Sequence, residues 1–150
     1  MQNLFVCTVL SLFILSCGES GSERKDGYSE TPKSLGDSLF HSVMEGHDEA
    51  MAKMGKLKSY QEQISKKIDS FGKEASREAK LFVDSLRRTN ADLRAAEEKM
   101  NQWMDKFSVD SAQSESGNRV KYLRVQDDQV EAIKQKILKA LDKADSVLRK

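Results

Sequence analysis

The sequence predicts an all-α chain, an up-down-up antiparallel three-helix bundle with coiled-coil-like seams, and three observations carry that expectation. Apolar side chains recur at alternating steps of three and four along three separate stretches, which is the spacing of a helix face rather than of a strand. A single Pro and 8 Gly in 150 residues, with abundant Lys, Glu, Ala, Ser and Gln, favour long helices. The stretches are separated by short breaks, and helices joined in that way pack as antiparallel neighbours. Lys plus Arg (25) and Asp plus Glu (24) nearly cancel, which argues against a nucleic-acid binder, whose footprint is a basic excess.

Ahead of the helices, residues 4–15 form an apolar run. It is shorter than the ~20 residues that cross a bilayer and has the length of a signal-peptide h-region. It closes on Ile14, Leu15, Ser16 and Cys17. This aliphatic, aliphatic, small, Cys order resembles the bacterial lipobox, in which a peptidase cuts before the Cys and the thiol takes a diacylglycerol. Residues 1–16 are therefore expected to be a lipoprotein signal peptide, with Cys17 the lipidated first residue of the mature chain. Met1, Gln2 and Asn3 add no Lys or Arg, so the terminal amine is the positive charge of this signal. Cys7 leaves with the signal and Cys17 is acylated, so no thiol remains for a disulfide, a zinc site or a nucleophile. No cofactor is expected beyond the covalent diacylglycerol and acyl chain on Cys17.

Residues 17–33 are Gly, Ser and mixed charge without an apolar period, a flexible tether with a reach of roughly 20 to 25 Å. Glu19, Glu23 and Asp26 are dispersed, whereas surface-exported lipoproteins of the Bacteroidota can carry an acidic cluster directly after the Cys. The expected location is the outer membrane, facing the periplasm, with the folded part spanning residues 34–150.

The first helix, over residues 34–71, is announced by Thr31 and Pro32, and by Ser34 with Asp37 three residues on, an approximate capping box. Its seam reads Phe40, Val43, His47, Ala50, Met54, Leu57, Gln61, Ile64, Ile68 and Phe71, with Met44 and Met51 on one flank. Gly72 and a slip of phase predict a tight turn at residues 72–73. One helix continuing through residue 72, which would make an oligomeric coiled coil, is the competing reading. The second helix, residues 74–107, carries Ala79, Phe82, Leu86, Thr89, Leu93, Ala96, Met100, Trp103 and Phe107. Residues 108–118 read as a polar loop with Asn118 as the next N-cap. The third helix, residues 119–149, carries Leu123, Gln126, Val130, Ile133, Ile137, Ala140, Ala144 and Val147, with Leu141 and Leu148 alongside. Either a monomer or a small homo-oligomer fits these seams.

In this register one constellation forms. His47 falls level with Met100, and Met44 with Trp103 and Met104, while Met51 and Met54 lie one turn away and the third helix brings Asp127 to the same height. Imidazole and thioethers suit Cu(I), and a partner or ligand could also be held there. Met is, however, a common filler of helical cores, and a His on a seam often fixes register, so core packing is the favoured reading and no metal is assigned. His41, Glu45 and Asp48 share a helix face but lack a fourth ligand and read as a solvated surface. HExxH, a phosphate-binding Gly loop and GxSxG are all missing from the sequence, so an enzyme is not expected. The closing Leu148, Arg149, Lys150 resembles the end of Braun's lipoprotein, whose terminal Lys is linked to peptidoglycan. Basic residues at a helix end are also favoured by its dipole.

The stretch His47, Asp48, Glu49, Ala50, Met51, Ala52, Lys53, Met54, Gly55, followed by Met100, Trp103, Met104, Phe107 and then Tyr122, Leu123, Gln126, resembles a group of small Bacteroidota lipoproteins labelled "viral A-type inclusion protein". That label reflects coiled-coil similarity. Relatives often have Pro between the two Met residues where this chain has Ala52, so a kink there is not carried over. The resemblance implies a helical, lipid-anchored envelope protein without an established activity. The expected function is a non-enzymatic scaffold or adaptor, membrane-bound through its lipid, that binds another envelope protein. Soft-metal handling by the Met and His cluster and a peptidoglycan-linked spacer through Lys150 are the alternatives.

Overall fold

The computed structural model describes residues 32–114 and 117–149. The expected signal peptide, Cys17, nearly all of the tether and Lys150 lie outside the described residues. Within them the chain is helical without strands, and four helices pack together: α1 (Leu35–Phe71), α2 (Arg77–Lys106), α3 (Val109–Gln113) and α4 (Asn118–Leu148). None of these helices is long and apolar enough to cross a membrane.

The start of α1 is set by Ser34 and Asp37. The Ser34 hydroxyl accepts from the Asp37 backbone N–H at 3.1 Å and donates to its carboxylate at 2.8 Å, satisfying one amide that the first turn leaves without a partner. Ser34→Ala is expected to cost about 1 kcal/mol, read as a lower urea midpoint at unchanged slope. Arg119 of α4 adds a clip, donating to Asp37 at 2.9 Å and to the Ala112 carbonyl at 2.7 Å.

The Ser34 hydroxyl first, then Arg119, hold the Asp37 carboxyl below its ordinary value of 3.8. A carboxylate with a lowered folded-state pKa contributes stability that is complete above the ordinary value and is lost as pH falls through the lowered one. Asp37→Asn should therefore flatten the acid limb of the unfolding profile below about pH 4 and leave the neutral limb parallel to that of the parent.

The helix does not continue through residue 72. α1 ends at Phe71, where the Gly72 N–H reaches the Ile68 carbonyl at 2.8 Å, and the Glu74 N–H returns to Phe71 at 3.0 Å. The next helix begins at Arg77 rather than at 74, because the Ser76 hydroxyl accepts from the Ala79 N–H at 3.1 Å and caps it there.

The expected loop over residues 108–118 is also revised, since it contains α3. Ser108 caps that helix through the Ser111 N–H at 3.1 Å, Ala112 is fully buried, and the Ser108 N–H donates to the Tyr122 hydroxyl at 2.6 Å. Asn118 is the first residue of α4, and the preceding Gly117 occupies the cap position without a side-chain bond.

Every residue of the three expected seams is buried or half-buried. Paired numbers rise together on α1 and α4: Asp37 meets Arg119, Glu49 meets Lys134, Tyr60 meets Asp145, and Lys67 meets the Leu148 carbonyl, each at 2.9 Å. Between α1 and α2 they run in opposite senses, Gln61 donating to Glu97 at 2.8 Å while Phe71 lies edge-on to Phe82 at 5.2 Å. α1 packs closely on α4 at buried Gly46, where an added Cβ would stand 3.1 Å from the Val130 side chain.

Candidate functional site

His47, Trp103 and Met104 meet between α1 and α2. His47 Nε2 lies 3.4 Å from Met104 Sδ, and the imidazole is tilted against the Trp103 ring at 5.7 Å between centroids. Trp103 continues into an aromatic row, with Phe107 at 5.0 Å and Tyr122 beyond Phe107 at 6.0 Å. Its indole Nε1 is buried with no hydrogen-bond partner. On the other side of the imidazole, Nδ1 lies 2.9 Å from the Asp48 carboxylate.

The expected constellation is thus realised in part and shifted. His47 faces Trp103 and Met104 rather than Met100, about one turn further along α2, because the turn before α2 is longer than the sequence suggested. Met54 and Met100 are buried in the common core, Met44 is half-buried one turn before His47, and Met51 is 37% exposed. Asp127 is half-buried. The neighbouring contacts of Gly46 with Val130 and of Glu49 with Lys134 set His47 about one turn beyond it. The carboxylate on the imidazole is therefore Asp48, which sequence reasoning had grouped with His41 and Glu45. Among the described residues no three His, Cys, Asp or Glu side chains are grouped to hold a metal ion, so that trio does not converge.

A second feature was not legible as a site. Between α2 and α4 the small residues Ala132 and Ala140 leave a groove in two joined sections. One section, of about 310 Å³, is lined by Lys99, Gln102, Trp103, Lys106, Gln129, Ala132 and Ile133. The other, of about 360 Å³, is lined by Asp92, Ala132, Gln135, Lys136, Lys139, Ala140 and Lys143. Five lysines line the groove against one carboxylate, Asp92, which is paired with Lys143. On the opposite edge of α4, Lys134 bridges Glu131 and Glu49, and those carboxylates raise its pKa, while Lys134 and Gln135 lower that of Glu131. Basic charge on α4 is thus neutralised towards α1 and concentrated towards α2.

No family model, curated protein or solved structure matches the chain.

Proposed function

We propose that this chain is a lipid-anchored envelope protein, held through Cys17 at the outer membrane and facing the periplasm. Its helices act as an up-down-up antiparallel bundle, a non-enzymatic adaptor for another envelope protein. The α2–α4 groove supports this reading most directly. Its lysines line a floor of Ala132, Ile133 and Ala140, a surface suited to an amphipathic helix that sets its apolar stripe on the floor and its glutamates against the lysines. The resemblance to small Bacteroidota lipoproteins points the same way.

Lys136 and Lys139 are exposed, so reversing both to Glu leaves the fold within about 0.5 kcal/mol. The double variant is expected to lose a partner that co-purifies with the parent from crosslinked cell envelopes. Equal recovery with both proteins would contradict an electrostatic groove contact.

A spacer linked to peptidoglycan through Lys150 is the second reading. The bond from Lys67 to the Leu148 carbonyl favours it, because α4 then ends beside the last turns of α1, about 50 Å from the tether. A muropeptide mass on the peptide containing Lys150 is the expected signature of that link.

A further inference from the structure

We propose that His47 Nε2 and Met104 Sδ are two ligands of a soft-cation site for Cu(I), covered by the Trp103 ring. The Asp48 carboxylate can only accept, so in a neutral imidazole the proton sits on Nδ1 and Nε2 carries the lone pair. That lone pair faces a thioether sulfur, itself only an acceptor, at 3.4 Å. In that tautomer the two acceptors form no hydrogen bond with each other, and a cation between them joins both. With bond lengths like those of zinc to nitrogen and sulfur, about 2.0 and 2.3 Å, the separation corresponds to a ligand angle of roughly 105°, within the range of trigonal and tetrahedral sites.

The surroundings fit the same ion. A histidine that binds metal through one nitrogen and donates from the other to a carboxylate is the usual outer-shell arrangement, fixing tautomer and ring direction. Thioether and imidazole together select Cu(I), and Met44, half-buried three residues before His47 on the same helix face, would be the source of a second thioether. The Trp103 ring lies tilted against the imidazole, and an indole face beside the site would favour a cation. Phe would fill the same core position without stranding an indole N–H, so packing alone does not account for Trp here. The His47 side chain keeps 20% of its surface in solvent, a route by which an ion enters.

The test uses the full chain in detergent with Cys7→Ser and Cys17→Ser, so that no thiol competes. Cu(I), supplied anaerobically against a chromogenic chelator, should bind at one equivalent and quench the emission of Trp103, the single tryptophan of the chain. Ag(I) should do the same and Zn(II) should not. Met104→Leu and His47→Gln should abolish both uptake and quenching, Asp48→Asn should weaken binding by about 10- to 100-fold, and exposed Met51→Leu should bind like the parent. Met104→Leu keeps core volume, and its metal-free circular dichroism reports whether it has folded. Uptake without quenching, or quenching that survives in folded Met104→Leu and His47→Gln, would overturn the site.

Discussion

Leu93→Ala lowers the unfolding free energy by about 2–5 kcal/mol, a large loss for a single truncation. Leu93 is fully buried in the central layer of α2, in one apolar cluster with Leu57, Leu86 and Ile137. Removing three carbons there forfeits transfer free energy and leaves a cavity, because long helices tied to each other along their length have little freedom to collapse into it. A domain of this size has about 5–15 kcal/mol of net stability, so the variant gives up a large share of it. Urea unfolding of the full chain checks this: the midpoint falls and the slope stays the same. Leu81, on the same helix but 60% exposed, is the comparison, and Leu81→Ala should move the midpoint by less than about 0.5 kcal/mol.

The second large effect is expected at Gly46, with the opposite geometry. Gly→Ala in a helix interior ordinarily stabilises by about 0.5–1 kcal/mol. Gly55, exposed and with nothing within 4 Å of an added Cβ, should follow that rule. Gly46 should not, because an added Cβ would stand 3.1 Å from a Val130 methyl, which has to shift to admit it. Gly46→Leu is expected to destabilise by about 1–3 kcal/mol through overpacking, pushing α1 away from α4. Adding Val130→Ala to Gly46→Leu should recover part of the loss, although Val130→Ala alone destabilises. Such non-additivity is the signature of two side chains competing for one space. Two glycines nine positions apart on one helix thus give opposite signs, and thermal or urea midpoints of the four variants decide the matter.

The fold was largely legible because its cause is periodic. Seam positions such as Val43, Leu57, Leu86 and Ile137 repeat at helical spacing, and each is fully buried. Val83, also buried, escaped because it lies one residue from seam member Phe82. Short capping signals were harder to rank than the periodic one. Ser76 and Ser108 each start a helix through one hydroxyl, yet a Ser in a polar stretch looks the same whether it caps or merely interrupts. Missing the Ser76 cap misplaced the register of α2 by about a turn, which is why Met100 rather than Met104 was matched to His47.

The candidate sites needed the third dimension. The Asp48 contact with the imidazole depends on a rotamer, and the α2–α4 groove exists because Ala132 and Ala140 come level with Trp103 and Asp92 only after the helices pair. An excess of Lys and Arg over acids on the last helix was visible in the sequence. Its division into a neutralised edge around Lys134 and a basic edge around Lys139 was not.

The adaptor reading is tested most directly by a photo-crosslinking amino acid introduced at Gln135, on the groove, and separately at Glu62, exposed on α1, in living cells. The account predicts one dominant envelope protein joined through position 135 and missing from the sample labelled at 62, with the adduct lost when Lys136 and Lys139 are also changed to Glu. No adduct at 135, or the same set of adducts from both positions, would contradict a partner seated in the α2–α4 groove.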